Sequence, residues 1–259
     1  MLQEEDFARR IDALDLSLFA AIPSQSDEGD RRSWLAMQRC LRRTGRGYTY
    51  LEIGSHLGGS LQQHLLDPRC HTIFSIDKRP PSQPDDRGMR FAYEGNSTER
   101  MRDHLRAVAP DQLGKLVCFD ADARDLDPRQ IPERPQLCFI DGEHTRSAVV
   151  SDFAFCRRVC DPDGAICFHD ASIIFPALAD AVASLARRRV AFVARKLGGD
   201  TFGIFLGRCP AADDEFLRGT SADGLRWLRE RSVASLARRV IPGRLWPTAR
   251  RLARRFWTA

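Results

Sequence analysis

The sequence predicts an α/β fold with a doubly wound, mostly parallel sheet of seven strands that ends in an antiparallel hairpin. Five short apolar runs alternate with segments of helical periodicity, as strands and crossover helices alternate in parallel sheets. The first run leads into a glycine-rich turn within Tyr48–Ser60, YTYLEIGSHLGGS. The last two apolar runs flank Gly198–Asp200, which is typical of a hairpin at a sheet edge.

This pattern divides the chain into three segments. Residues 1–44 are expected to form a helical extension, residues 45–210 the α/β domain, and residues 211–259 a helical, arginine-rich tail. In the extension, residues 2–22 predict one amphipathic helix and Arg31–Arg43 predict a second. Apolar residues at helical spacing support the first helix, namely Phe7, Ile11, Leu14 and Leu18.

The apolar runs also give the order of elements in the domain. Parallel strands are expected at residues 48–54, 71–77, 116–120, 136–141 and 165–169. Helices are expected at about residues 58–66, 96–108, 147–160 and 177–188. The hairpin strands are expected at residues 190–195 and 202–206, and a polar, proline-rich loop at Pro80–Gly88.

Composition favours a folded protein of a reducing compartment. Of the 259 residues, 43% are hydrophobic, which is enough for a core. The sequence contains no run of eighteen apolar residues, the length that a membrane-spanning helix needs. The eight cysteines form no Cys-x-x-Cys pair, which argues against zinc and disulfide sites and favours the cytoplasm. Residues 232–259 hold seven arginines and no acid, so that +5 minus +7 leaves −2 for the remainder. That balance gives no indication of nucleic-acid binding.

Acidic residues recur where the predicted strands end. Asp77, Asp122, Asp141 and Asp170 follow the second to fifth strands, and Gly54 follows the first. Because ligands of such folds bind beyond the carboxyl ends of the strands, these residues should surround a ligand site. Asp77 lies 23 residues beyond Gly54, where a carboxylate can accept both ribose hydroxyls of a nucleoside. A single acid at a strand end often only caps the next helix, but acids at four successive strand ends are harder to explain in that way.

Several of these segments resemble class I S-adenosylmethionine-dependent methyltransferases. EIGSHLGGS is similar to their first motif, SID to the strand end with the ribose-binding acid, and DADARDL to the segment beside the adenine. FIDGEHTRSAVVSDF followed by GAICFHD resembles, more narrowly, small-molecule O-methyltransferases with a D-G-x-H signature, some of which modify sugars. The resemblance covers about residues 45–208 and implies a Rossmann-like sheet.

The resemblance implies S-adenosylmethionine as cofactor and a divalent cation, Mg²⁺ or Mn²⁺. The cofactor-binding residues that it implies are Glu52, Gly54, Ser55, His56, Gly58, Ser60, Asp77, Asp122, Ala123 and Asp141.

The same resemblance assigns the metal ligands and the base. Asp141, His169 and Asp170 occupy the ligand positions, although an oxygen ligand would be more usual than His169, which leaves a supporting role open for it. His144, three residues beyond Asp141, occupies the position of the general base. The plainer interpretation of His144 is a helix-start residue bonded to backbone. Glu143 is either another metal ligand or a solvated charge, and the solvated charge is the preferred interpretation.

The function predicted from the sequence is metal-assisted O-methylation of a sugar hydroxyl or a glycosylated small molecule. A nicotinamide-dependent oxidoreductase would share the fold but would want G-x-G-x-x-G, whereas this chain has E-x-G-x-x-x-G-G. A catalytically silent binding module would have no need of Asp141, His144 and Asp170 together.

The arginine-rich tail has two interpretations. Its apolar positions at helical spacing are Leu245, Ala249, Leu252 and Phe256, with Trp246 and Trp257 nearby. A basic amphipathic helix with tryptophans is typical of an anchor on anionic lipid, here at the inner face of the membrane. The same stripe could pack on the protein's own surface or on a partner subunit, so a homo-oligomer also stays open.

Overall fold

The computed structural model describes residues 4–240. The tail positions Leu245 to Trp257 therefore lie outside the described residues. Strands of the described part, in chain order, are β1 (Tyr48–Ile53), β2 (Cys70–Ile76), β3 (Ser82–Pro84), β4 (Arg90–Ala92), β5 (Leu116–Phe119), β6 (Leu137–Ile140), β7 (Ala165–Phe168), β8 (Phe192–Lys196), β9 (Phe202–Leu206) and β10 (Ala222–Asp223). Its α-helices are α1 (Glu4–Asp12), α2 (Glu28–Arg43), α3 (Gln62–Leu66), α4 (Thr98–Val108), α5 (Arg146–Val159), α6 (Ala171–Arg187), α7 (Glu215–Thr220) and α8 (Gly224–Val240).

The central sheet confirms the predicted fold class. Its order is β10-β8-β9-β7-β6-β1-β2-β5, with β5, β2, β1, β6 and β7 parallel and β9 antiparallel to both β7 and β8. The chain runs outward from β1 through β2 to β5 and then returns past β1 to β6 and β7. The topological switch point thus lies between β1 and β6, where such sheets open a crevice for ligands. The expected count of seven strands misses β10, a two-residue strand paired with β8.

Different helices cover the two faces of the sheet. Successive side chains of a strand point to opposite faces, and β1 shows this directly. Tyr48 and Tyr50 join a buried cluster with α1 to α4, whereas Leu51 and Ile53 join a second cluster with α5, α6 and α8. The N-terminal extension is therefore part of the same core as the sheet. None of the helices in the described residues is long and apolar enough to cross a membrane.

The prediction of a single helix over residues 2–22 is wrong. Helix α1 ends at Asp12, Leu14 takes a left-handed φ of 51°, and a short 3₁₀ helix follows at Leu16–Phe19. The Asp15 carboxylate accepts the backbone N–H of Ser17 at 2.9 Å, and such a local cap competes with continued helix. The apolar residues that suggested one helix are nevertheless all buried.

Two helices start earlier than expected because polar groups satisfy their first turns. Helix α2 begins at Glu28 rather than Arg31, since Asp27 and Asp30 form a reciprocal capping box. Helix α6 begins at Ala171 rather than residue 177, although Pro176 lies inside it. At the start of α6, the backbone carbonyl of Asp200 accepts the N–H of Ala171 at 2.8 Å. The Asp200 carboxylate accepts the N–H of Ser172.

Two further local expectations need correction. Helix α3 begins only at Gln62, because the glycine-rich turn continues through Gly58, whose φ is 87°. The supposed loop Pro80–Gly88 contains β3, which pairs with β4 to form a separate two-stranded hairpin.

Candidate active site

Two adjoining cavities open at the carboxyl edge of the parallel strands. With the solvent-open space at their mouths included, they span about 580 Å³ and about 320 Å³, and both are lined by Gly54, Asp77 and Gln83. The expected site residues in the first cavity are Gly54, Ser55, His56, Ser60, Asp77, Asp141, His144, His169 and Asp170. Those in the second are Gly54, Asp77, Asp122 and Ala123. Glu52 and Gly58 line neither cavity.

Glu52 lies beneath the first cavity. It is fully buried and accepts hydrogen bonds from Tyr50 Oη at 2.6 Å and from the Ser60 hydroxyl. Burial raises its pKa to about 8 against the opposing effect of these hydrogen bonds. Glu52 therefore holds Ser60, which does line the cavity. Gly58 is needed for the conformation of the glycine-rich turn, because a Cβ at this position would lie 3.2 Å from the Leu105 side chain.

The turn after β1 is tied to the end of β2. Gly54 has a φ of 91°, and a Cβ there would lie 2.2 Å from the Asp141 carbonyl, so only glycine lets the ends of β1 and β6 approach. The Asp77 carboxylate accepts the backbone N–H groups of His56 at 2.9 Å and Arg79 at 2.8 Å. Asp77 is thus oriented by the glycine-rich turn and still faces both cavities.

Arg79 supports this turn and was missed by sequence reasoning. It has a left-handed φ of 52°, and its guanidinium bonds the His56 carbonyl and, at 2.9 Å, Asn96 Oδ1. No motif marks it, because its role depends on contacts with distant segments.

Ion pairs dominate the second cavity. The Asp122 carboxylate accepts the N–H of Arg124 at 3.0 Å and its guanidinium at 2.7 Å. These bonds from Arg124 lower the pKa of Asp122 to about 2. Lys78 Nζ lies 3.6 Å from Asp122 and 2.5 Å from Glu143. Glu143 is therefore an ion-paired wall residue, where a solvated charge was expected.

Two imidazoles meet the acids at the ends of β6 and β7. His169 Nδ1 lies 3.3 Å from Asp141 Oδ1 and 3.5 Å from Asp170 Oδ2, while its Nε2 lies 3.2 Å from Asp30 Oδ2. Burial lowers the pKa of His169, but these carboxylates outweigh burial and raise it strongly. His144 Nε2 lies 3.2 Å from Asp170 Oδ2 and 3.9 Å from Asp141 Oδ1.

Asp141, His144 and Asp170 form one group of side chains that could hold a divalent cation. Ligand atoms of Asp141, His144 and Asp170 all lie within 4.8 Å of one another. His144 Nε2 is buried and makes no hydrogen bond within the described part, although Asp170 Oδ2 lies 3.2 Å from it. His169, by contrast, has a carboxylate at each ring nitrogen. Asp170 has a φ of 52°, and such strain in a non-glycine residue is typical of functional sites.

The β3–β4 hairpin lies against this cluster. Asp85 and His144 form an isolated backbone bridge, and the Phe91 ring stands 5.8 Å from the His144 ring. Tyr93 lines the first cavity with its ring 5.2 Å from that of His56. Burial, followed by the charges of Asp141, Asp170 and Asp77, raises the pKa of Tyr93 to about 12. The sequence offered no signal for these lining residues.

Residues 51–171 match a family model described as a methyltransferase domain. The match supports a methyltransferase. The matched segment begins in β1 and ends at the start of α6, so it includes the glycine-rich turn and Asp141, His144 and Asp170.

Solved structures of methyltransferases are similar in fold at low identity. An O-methyltransferase from Bacillus cereus in complex with SAH is 13% identical, with 77% of this chain and 91% of that chain covered and a TM-score of 0.49. An O-methyltransferase from Streptomyces achromogenes involved in tomaymycin synthesis, in complex with SAM, is 13% identical, with coverage of 80% and 92% and a TM-score of 0.47. A calicheamicin methyltransferase is 15% identical, with coverage of 74% and 89% and a TM-score of 0.48. No curated protein matches the chain.

Proposed function

We propose that the protein transfers the methyl group of S-adenosylmethionine to a hydroxyl group of a sugar or glycosylated small molecule, with help from a divalent cation. The observation that carries this proposal is the convergence of Asp141, His144 and Asp170 beside two joined cavities, within the segment that matches a methyltransferase domain.

The two cavities suggest how the cofactor is held. The second cavity, with Asp122 and Ala123, is proposed for the adenine, and the first cavity, with Ser55, His56 and Ser60, for the amino-acid part. Asp77 faces both and is placed to accept the ribose hydroxyls. A carboxylate offers about four lone-pair sites. Asp77 already accepts two backbone N–H groups, and the Arg79 guanidinium lies 3.4 Å from its Oδ2, so acceptor capacity remains for a ribose hydroxyl. S-adenosylmethionine supplies a methyl group on a positively charged sulfur.

The acceptor hydroxyl would lie among the acids of the first cavity. Asp141 and Asp170 would hold the cation, which lowers the pKa of a hydroxyl that it binds. His144 Nε2 would take the proton, and Asp170, 3.2 Å away, would stabilise the imidazolium that forms. Burial lowers the pKa of His144, but the nearby carboxylates of Asp141 and Asp170 outweigh burial and raise it.

The lining of the first cavity suits an acceptor rich in hydroxyl groups. Besides the acids, Gln83, Tyr93 and Asn96 contribute polar groups that could bind sugar hydroxyls. This polarity supports a sugar over an apolar acceptor.

Calorimetric titration with S-adenosylhomocysteine tests the cofactor. We expect binding to the wild type that weakens by about tenfold or more in Asp77→Ala, because hydrogen bonds to a charged group are lost. Asp127→Ala is the matched control, since Asp127 caps an exposed 3₁₀ helix at Pro128–Gln130. Absence of binding with and without Mg²⁺ or Mn²⁺ would contradict the proposal. Mass spectrometry of a glycoside panel incubated with S-adenosylmethionine then tests transfer to oxygen.

A further inference from the structure

We propose that Asp152 accepts a hydrogen bond from the 6-amino group of the cofactor's adenine and so selects adenosine among purine nucleosides. The inference rests on the proposed function, because it takes the second cavity as the nucleoside site.

Asp152 is an unpartnered carboxyl at the wall of that cavity. It lies on α5, is only 6% exposed, and lines the second cavity. One of its oxygens lies 3.5 Å from where a Cβ on Gly142 would stand, so the carboxyl faces the loop after β6. Among the hydrogen bonds and ion pairs of the described residues, Asp152 makes none.

A buried carboxyl without a partner is unfavourable in the free protein. Burial, and next the charge of Asp122, raise the pKa of Asp152 to about 7 against the opposing charges of Lys78 and Arg124. The Asp152 oxygens are not sealed from solvent, so the missing hydrogen bond costs less than the roughly 1–3 kcal/mol of a fully buried polar group. A ligand that brings an N–H donor into the cavity would relieve this cost.

Other acids of the cavity are already occupied. Asp122 is held by the backbone and guanidinium of Arg124, with Lys78 close by. Glu143 is bound by Lys78 and by the Thr145 hydroxyl at 2.6 Å. Asp77, which also lines this cavity, is assigned to the ribose, and it already binds two backbone N–H groups. Asp152 is thus the acid of this cavity that has no hydrogen-bonded or ion-paired partner among the described residues.

The chemistry of the purine edge matches this acceptor. The 6-amino group of adenine carries two N–H donors on the edge away from the ribose, and an inward-facing carboxyl can accept one whether it is charged or neutral. A purine with hydrogen at C6 offers no donor there and would leave Asp152 unsatisfied. Selection by such a contact can be strong, because the site's buried polar group is left unpaired by the wrong ligand.

The test compares binding of S-adenosylhomocysteine with that of its analogue bearing hydrogen in place of the 6-amino group. We expect the wild type to prefer S-adenosylhomocysteine by about tenfold or more, since a charge-assisted hydrogen bond contributes that much. Asp152→Leu, which removes the acceptor at similar volume, should bring the ratio to about one. Asp152→Asn should keep the ratio within about threefold, because its amide oxygen can accept the same bond. Asp103→Leu, an exposed acid on α4, is the control and should keep the wild-type ratio.

Each outcome decides the inference. A wild-type ratio near one, or an unchanged ratio in Asp152→Leu, would overturn it while leaving the proposed function in place. A ratio that collapses only in Asp122→Ala would overturn it in favour of Asp122. If the wild type did not bind S-adenosylhomocysteine at all, the proposed function, on which this inference rests, would itself be contradicted. Thermal melting checks that each variant folds. If Asp152→Leu does not fold, Asp152→Asn is used instead, because a loss of the preference for S-adenosylhomocysteine in Asp152→Asn would also contradict the inference.

Discussion

At the residue scale, His144 and His169 share the carboxylates at the ends of β6 and β7 but have different surroundings. His169 is enclosed by acids at both ring nitrogens, including Asp30 from α2. His144 Nε2 makes no hydrogen bond within residues 4–240 and faces Asp170 alone at 3.2 Å, with Asp141 at 3.9 Å. We therefore expect His144 to do the chemistry and His169 to keep the acids in place.

His144→Ala is predicted to lower kcat by about 100-fold or more, because removal of a general base typically has that effect. Binding of S-adenosylhomocysteine should change by less than about threefold, since His144 faces the acceptor side. His71→Ala, an exposed histidine at the start of β2, is the control. Turnover equal to that of the wild type would rule out His144 as the base.

The same variant separates a base from a metal ligand. Mn²⁺ binding, followed by electron paramagnetic resonance, should persist in His144→Ala if Asp141 and Asp170 supply the principal ligands. It should be lost in a variant with Asp141→Ala and Asp170→Ala. Loss of Mn²⁺ binding in His144→Ala alone would assign His144 to the metal rather than to the proton.

Glu52 predicts a pH dependence of stability. Its pKa is about 8 in the folded protein against 4.5 for the free side chain, so the unfolded chain releases its proton first as pH rises. Stability from Glu52 is therefore fully present below about pH 4.5 and is lost as pH rises towards 8. Glu52→Gln should flatten this decline and raise the free energy of unfolding at pH 7 by up to about 3 kcal/mol. Urea denaturation at several pH values from about 5 to about 8 measures this decline in the free energy of unfolding. The prediction is contradicted if the free energy of Glu52→Gln falls with pH as steeply as that of the wild type.

At the element scale, α2 joins the N-terminal extension to the site through its first turn. Asp30 Oδ1 accepts the N–H of Asp200 at 2.7 Å and the hydroxyl of Thr201 at 2.8 Å, and Oδ2 faces His169. The start of α2 thus fixes the β8–β9 loop and His169 together.

Asp27→Ala and Asp30→Ala should differ in cost for this reason. Loss of the Asp27 cap should destabilise the fold by about 1 kcal/mol, the usual effect of an N-cap. Loss of Asp30 should cost about 3 kcal/mol or more, because it leaves buried donors unpaired. Asp30→Ala should also lower kcat through the displaced His169. Denaturant titration measures both, and equal costs would show that Asp30 acts only as a cap.

At the scale of the whole molecule, the arginine-rich tail is proposed to bind the surface of anionic membranes. We expect the full chain to sediment with vesicles that contain phosphatidylglycerol, and less so at high salt, because each arginine contributes about 1 kcal/mol that salt screens. A chain ending at Val240 should stay in solution, as should both chains with neutral vesicles. Equal sedimentation of the two chains would contradict the anchor.

The sequence by itself determined the sheet and the edge at which the site lies. The apolar runs predict the strands, and Asp77, Asp141 and Asp170 follow those runs directly. Because the strands are parallel, their carboxyl ends and these acids lie at one edge of the sheet. Both signals are local in the chain, and a parallel sheet converts them into a common position.

Only the tertiary structure decided how the site is built. Asp30 contacts His169 across 139 residues, the β3–β4 hairpin packs on His144, and Asp152 lines the cavity with no partner among the residues that the structure describes. These features depend on packing between distant segments and on side-chain direction, which periodicity along the chain does not encode. For the same reason the sequence could place histidines near the acids but could not say that His169, and not His144, has a carboxylate at each ring nitrogen.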